Sequence, residues 1–290
     1  MNYDLLHPRD QLVEIINRIY TGGMTTLSGG NLSILDADGR LWITPAGIDK
    51  GNLHPEDIVC INQDGTQEGR HRPSSEFPFH RAIYQRRPDL RAIVHAHPPG
   101  LIAYSIANKV PETRVVPQAY YVCGPIGFSP YAMTGSEELG ENIASTFAEG
   151  FNVAILENHG VACGGETLLE AFQRMETLEF TAWMLIGAHQ IGDFRILSDH
   201  QLEKFKQGSD LLDEFELKTH GVLEKELRKS MVEVVHRACE RKLMCSTEGV
   251  VSVRLEGQSF LITPTEVDRF RLSIEDLVLI QGGSREKRKS

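Results

Sequence analysis

Leu12, Val13, Ile15, Ile16 and Ile19 recur at the period of one helix face, and Gly22-Gly23 follows them. This predicts a first amphipathic helix ending near Tyr20. The period then changes. Residues 31–35 and 41–44 are apolar-rich and flank Asp36-Ala37-Asp38-Gly39, which predicts a hairpin whose glycine takes the left-handed turn position. Residues 58–61, closed by Asp64-Gly65, predict another strand. Ser74-Ser75-Glu76-Phe77-Pro78 has a helix start: hydroxyl caps, an acid in the first turn and an early proline, with Phe79, Ala82 and Ile83 on one face. Ala92-Ile93-Val94 and residues 153–156 read as short buried strands. A helix follows Pro99, a glycine-rich passage containing residues 122–127 leads to a helix over 135–148, and a long helix covers 167–190. Strands and helices mixed in this way predict an α/β domain.

A repeat lies over this pattern. Ile43-Thr44-Pro45 returns as Ile262-Thr263-Pro264, 219 residues later. At the same offset and without a gap, Val13-Glu14 matches Val232-Glu233, Arg18 matches Arg237, Gly30 matches Gly249, Ser33 matches Ser252, Asp49 matches Asp268 and Glu56-Asp57 matches Glu275-Asp276. So long a period signals a copied piece of a domain and not a solenoid. The copy stops near Ile280 and has Glu248 and Val250 in place of Gly29 and Asn31. The expected organisation is a main domain over 1–198, a helical linker over 199–229, a partial copy without its own active site over 230–282, and a basic disordered tail over 283–290.

Composition narrows the function. In a chain of 290 residues, 41% hydrophobic and 24% charged residues are those of a globular protein. A formal charge of −10 argues against a nucleic-acid partner, since phosphate binding needs clustered Lys and Arg. The basic run at 285–289 reads as a solvated terminus. The five cysteines show no CxxC spacing and read as reduced thiols. The first residues lack a basic and apolar leader, and no apolar run reaches about 18 residues. A cytoplasmic protein without a membrane partner is expected.

His95-Ala96-His97 ends the Ala92-Ile93-Val94 run, and alternate side chains of a strand point the same way, so both imidazoles can bind one ion. A catalytic zinc site takes three protein ligands and leaves a position open. His159 is the best third, because it ends a second apolar strand on a glycine turn. The histidines at 7, 54, 71, 80, 189, 200, 220 and 236 lie in polar or helical settings and read as surface or cap residues.

Leu27-Ser-Gly-Gly-Asn-Leu-Ser33, Ile43-Thr-Pro-Ala-Gly47, Pro73-Ser-Ser-Glu76 with Phe79-His80, His95-Ala-His97-Pro98, Pro130-Tyr-Ala132 and Asn158-His-Gly160 stand in an order that resembles the class II aldolase/adducin family over residues 10–190. The resemblance implies a three-layer α/β/α domain with a mixed central sheet, plus a smaller C-terminal α/β half-module. It implies Zn²⁺ or another divalent transition metal on His95, His97 and His159, with Glu76 binding the ion at rest and serving as the base. Alone, Glu76 reads as a first-turn acid favoured by the helix dipole. The resemblance also implies a substrate phosphate among Ser28, Asn31, Gly47, Ser74 and Ser75, which singly read as turn or cap residues. A tyrosine from a neighbouring subunit, for which Tyr120 is the candidate and Tyr121 the alternative, would be the acid in a homotetramer. The implied activity is a lyase that cleaves a ketose 1-phosphate or related sugar phosphate into dihydroxyacetone phosphate and an aldehyde. Dehydration, decarboxylation or epimerisation of a sugar phosphate, or a non-catalytic adducin-like role, are the alternatives. Glu76 disfavours epimerisation, for which the family carries aspartate.

Overall fold

The computed structural model describes residues 5–207, 212–216 and 219–287. Contacts divide the chain into two units, Met1–Leu197 and Ser198–Ser290. In the first, α1 (Pro8–Thr21) precedes the hairpin β1 (Asn31–Leu35) and β2 (Leu41–Ile43), then β3 (Val59–Ile61), β4 (Gln67–Glu68) and α2 (Phe77–Arg86). There follow β5 (Ala92–Ala96), α3 (Pro99–Ile106), α4 (Pro117–Cys123), β6 (Ile126–Ser129), α5 (Glu137–Ala148), β7 (Val153–Leu156), β8 (Gly160–Gly165) and α6 (Leu168–Ile191).

The eight strands form one sheet in the order β4-β3-β2-β1-β5-β8-β7-β6. Only β6 and β7 run parallel, so the sheet is mixed. Leu12, Ile15, Ile16 and Ile19 of α1 join Leu168, Phe172, Met175 and Leu178 of α6 on one face, over Leu32, Val94, Ile155 and Val161. Phe79 and Ile83 of α2 join Leu139, Ile143 and Phe147 of α5 on the other, over Ile43, Ile93, Ala154 and Ala162. This is the α/β/α sandwich of the expected fold class. Burial on both faces explains why β5, β7 and β8 read as unbroken apolar or glycine-rich runs without alternation.

Three segments of the first unit escaped the sequence reading, the short β4 among them. The glycine-rich passage contains α4 and β6, and the residues after His159 form β8. The start of α2 also differs. Glu76 occupies the position before the first helical residue and makes no side-chain cap, while Ser74 Oγ accepts from its backbone N–H at 3.3 Å. The glutamate is therefore free to turn elsewhere.

In the second unit, α7 (Asp199–Gln207), β9 (Glu214–Phe215) and α8 (Val222–Glu240) precede β10 (Ser252–Arg254), β11 (Phe260–Ile262), β12 (Val278–Gln281) and β13 (Ser284–Glu286), with sheet order β10-β11-β12-β13-β9. Helix α8 thus begins within the segment read as a linker. Ser284–Glu286, read as part of a disordered tail, pairs with β12 and β9 because its backbone completes their ladders. Residues 288–290 lie outside the described residues.

The offset of 219 recurs in the geometry. Ser33 pairs with Ile43 and Ser252 with Ile262; Leu41 pairs with Ile61 and Phe260 with Ile280. Thr44 Oγ1 accepts from Leu32 N at 3.1 Å, and Thr263 Oγ1 from Val251 N at 3.2 Å. Lys50 N donates to Leu27 O and Arg269 N to Ser246 O, both at 2.8 Å. Each of those two residues is a buried cation clamping a carbonyl, Lys50 Nζ on Pro45 and Arg269 Nε on Gly249.

Candidate metal centre and active site

Three adjacent elements bring the candidate ligands together. His95 lies on β5, opposite Asn31 of β1 and Ala162 of β8. His97 follows on the same side by strand alternation. His159 sits in the tight turn between β7 and β8, where Asn158 takes a φ of 51°, a conformation asparagine tolerates better than most residues. Close approach of the backbones makes this possible. A Cβ on Gly160 would lie 2.6 Å from Ala96 O and 2.8 Å from His97 Cδ2, and one on Gly29 would lie 2.7 Å from His97 Nδ1. At the position matching Gly29, the second unit has Glu248.

The donor nitrogens of His95, His97 and His159 lie within 4.8 Å of one another. His97 Nε2 is 3.2 Å from His95 Nε2. Glu76 joins them from α2, with Oε2 3.2 Å from His95 Nε2 and Oε1 3.4 Å from His159 Nε2. His95 and Glu76 are buried, and His97 and His159 are half-buried. His95 Nδ1 faces Val161 O at 2.9 Å, which makes Nδ1 the protonated nitrogen and turns the Nε2 lone pair into the cluster. Glu76 Oε1 and His159 Nδ1 are buried with no hydrogen-bond partner. Three imidazoles, one with its lone pair so directed, and a carboxylate oxygen in want of a partner suit Zn²⁺ or a similar divalent transition metal.

The charge balance agrees. Burial pushes Glu76 up, but the charge and hydrogen bond of His95, then His159 and Asn31, outweigh it and hold the carboxyl well below its ordinary range. His95 is raised: burial opposes its charge, and Glu76 overcomes that. Burial first, and then the charge of His95, bring His97 down to about 3 and His159 to about 4. The metal-free pocket therefore pairs the Glu76 anion with His95 and keeps His97 and His159 neutral, and a cation would take the place of the proton that His95 and Glu76 share.

The remaining predicted residues fall into two groups. Loops carrying Ser28, Gly47, Ser74 and Ser75 are tied together: Lys50 N reaches Leu27 O, Ala46 N reaches Arg72 O at 3.1 Å, and Ser74 N reaches Thr44 O at 3.2 Å. Ser28, Gly47 and Ser75 are exposed and Ser74 is buried. Asn31 is also buried, and its amide is bonded to Glu76 Oε2 at 2.7 Å. Tyr120 is apart from them. It lies on α4 with its ring edge-on to Tyr121 and makes no hydrogen bond or ring contact with the three histidines.

His80 corrects the sequence reading. Classed among surface or cap histidines, it is fully buried and bonded to Asn31 and Ser33. Its signal was periodic: Glu76, His80 and Tyr84 stand four residues apart, on one helix face. A second grouping, His220, Glu224 and Glu286, lies in the C-terminal unit, where the Arg228 guanidinium already pairs both glutamates.

The family model described as Class II Aldolase and Adducin N-terminal domain matches residues 10–186 and 229–289. The 5-deoxy-D-ribulose 1-phosphate aldolase of Bacillus thuringiensis serovar kurstaki is 32% identical over 201 residues, which are 67% of this chain and 92% of that protein. The 3-oxo-tetronate 4-phosphate decarboxylase of Escherichia coli K12 is 34% identical over 181 residues, 61% of this chain and 85% of that protein. A solved structure of L-fuculose 1-phosphate aldolase superposes with a TM-score of 0.62 at 31% identity, covering 69% of this chain and 96% of the other.

Proposed function

Because the chain belongs to the class II aldolase and adducin family, in which its relatives are sugar-phosphate lyases, we propose that it is a metal-dependent aldolase acting on a ketose 1-phosphate. The observation that carries this reading is the meeting of three imidazoles with a carboxylate whose Oε1 has no other partner. His95, His97 and His159 would hold the cation, with Glu76 completing the set at rest. When bound, the ion supplies Lewis-acid polarisation of the substrate carbonyl.

The chain's own groups do the rest. Cleavage removes the proton of the C4 hydroxyl, sends the C3–C4 bonding pair onto C2 and C3 as an enediolate, and releases the distal fragment as an aldehyde. Protonation at C3 then gives dihydroxyacetone phosphate. Glu76 Oε1 handles the C3 proton. Tyr120, supplied across a subunit contact, exchanges the proton of the C4 oxygen, giving it to the aldehyde oxygen as the acid in condensation and receiving it back as the phenolate in cleavage, so a homo-oligomer is part of the proposal. The phosphate is held by Ser28, Gly47, Ser74 and Ser75, whose hydroxyls and backbone N–H groups can cradle an anion. Asn31 keeps its second amide proton for the same purpose.

The decarboxylase relative supports a second reading. Loss of CO₂ from a 3-oxo acid phosphate also leaves an enediolate that Glu76 would protonate, and it needs no tyrosine at the leaving oxygen. Incubating the Zn²⁺-loaded protein with 5-deoxy-D-ribulose 1-phosphate, L-fuculose 1-phosphate and 3-oxo-tetronate 4-phosphate separates the two: both reactions leave dihydroxyacetone phosphate, but release of an aldehyde supports the first reading and release of CO₂ the second. Neither product from any substrate rejects both.

Residues 230–282 are read as a partial second copy of the segment from α1 through β3. The gapless offset and the identical strand register support this. The copy has Glu248 for Gly29 and Val250 for Asn31, which supports reading it as a structural half-module.

A further inference from the structure

Behind Glu76 runs a buried ladder in which α2 and β1 alternate. Asn31 Nδ2 donates to Glu76 Oε2 at 2.7 Å, and Asn31 Oδ1 is 2.5 Å from His80 Nε2. His80 Nδ1 is 2.7 Å from Ser33 Oγ, which is 2.8 Å from Tyr84 Oη. Glu76, His80 and Tyr84 come from one helix face and Asn31 and Ser33 from one strand face, and all five are buried. Tyr84 also lies near the backbone carbonyl of Ser33, at 3.1 Å.

The protons in this ladder have one consistent arrangement. An ionised carboxylate only accepts, so the Asn31 amide must turn its N–H₂ to Glu76 and its carbonyl to His80. That carbonyl requires a proton on His80 Nε2. With burial holding its pKa at about 3, His80 is neutral, so Nδ1 must accept, and the donor is the Ser33 hydroxyl. Having given its proton away, Ser33 Oγ can only accept from Tyr84, whose single hydroxyl proton it shares with the Ser33 carbonyl. From Ser33 to Glu76 every donor thus points toward the carboxylate, and bonds aligned in this sense polarise one another.

We propose that His80, acting through Asn31, is a positioning residue that holds Glu76 Oε2 and thereby leaves Oε1 as the oxygen that exchanges a proton with substrate. Glu76 Oε1 is the buried oxygen without a hydrogen-bond partner, as this division of labour requires. The second unit supplies an internal contrast. It retains Ser252 for Ser33 and the hydrogen bond to Thr263, yet Val250 replaces Asn31, so the framework is kept where the ladder is absent. The catalytic part of the inference rests on the proposed aldolase reading; the arrangement of protons does not.

The test uses the full-length Zn²⁺-loaded protein. Nitrogen-15 NMR of the His80 imidazole is expected to show the neutral Nε2–H tautomer, and an Nδ1–H tautomer or an imidazolium would overturn the proposal. With 5-deoxy-D-ribulose 1-phosphate as probe, His80→Leu is expected to lower kcat about 10- to 100-fold, with KM and zinc content within about threefold of wild type. His80→Gln, whose amide can still donate to Asn31, should recover most of that loss. Wild-type kcat in His80→Leu, or no recovery in a folded His80→Gln, would reject the positioning role. If His80→Leu does not fold, Tyr84→Phe removes only the last donor and should lower kcat by about threefold at unchanged KM; an unchanged kcat there counts against the ladder. A wild type inactive on every sugar phosphate would sink the aldolase reading, leaving the NMR result alone to decide the ladder.

Discussion

His95 on β5 gives its Nδ1 proton to the carbonyl of Val161 on β8, at 2.9 Å. One strand pairing thereby sets both the position of the imidazole and the nitrogen it presents to its neighbours. The geometry of this imidazole cluster is a property of the sheet, which makes it sensitive to small changes in packing.

Glu76 is expected to serve the chemistry more than the fold. Glu76→Ala should retain most of its bound metal through the three histidines while turnover falls by about two to four decades, the usual contribution of a positioned acid or base. Metal content and kcat measured on the same preparation check this. A variant that turns over within tenfold of wild type would remove Glu76 from the mechanism.

Chelation should abolish activity and Zn²⁺ should restore it, at one ion per chain. His159→Ala should lower the affinity for the ion by at least about tenfold, since a three-ligand set loses a member. Elemental analysis and titration of the metal-free protein give both numbers. A second equivalent of tightly bound ion would point to the His220 group, which Arg228 is expected to keep empty.

Gly160→Ala should disturb the site without replacing a candidate ligand, since its methyl would also press on His97 Cδ2 at 2.8 Å. The added methyl would lie 2.6 Å from Ala96 O, a backbone atom that cannot rotate away, so β5 and β8 must separate. A cost of about 1–3 kcal/mol in stability is expected, with metal affinity reduced alongside it. Chemical denaturation and zinc titration would report both.

Glu179 of α6 caps α3 from a distance. Its two oxygens accept from Gly100 N and Leu101 N, each at 2.9 Å, three residues beyond His97. Glu179→Gln retains only part of this, and Glu179→Ala leaves two buried N–H groups without an acceptor. A loss of about 1–3 kcal/mol is expected for the alanine variant, measured by urea denaturation of metal-free protein.

Acid should destabilise the metal-free protein before the carboxylates titrate. His80, His97 and His159 lie at about 3, 3 and 4 against an ordinary 6.5. Between those values the unfolded chain binds protons that the native chain refuses, so stability is full above about pH 6.5 and falls as the pH drops toward 3. His95 works in the opposite sense, because its raised value adds stability below 6.5 that is lost as the pH rises through it. Three groups against one give a net decline on acidification. A midpoint temperature that stayed level from pH 7 to pH 4 would contradict the burial of these rings.

The amino-acid sequence alone determined many of the local elements and which histidines cluster. Period and turn chemistry located α1, the β1–β2 hairpin and α6, because each needs only neighbours within a few residues. His95 and His97 declared themselves by strand alternation, and the copied segment by a constant offset. Tertiary structure decided what distance along the chain conceals. Strand β8 has no alternation because both its faces are buried, so no pattern announced it. His80 resembles a surface histidine until α2 is laid against β1, where Asn31 and Ser33 remove it from water. Glu76 reads as a helix-start acid, and only the convergence of β1, β5 and the β7–β8 turn draws its carboxylate into the cluster. These outcomes depend on desolvation and on hydrogen bonds between residues about 45 positions apart, and packing alone supplies those.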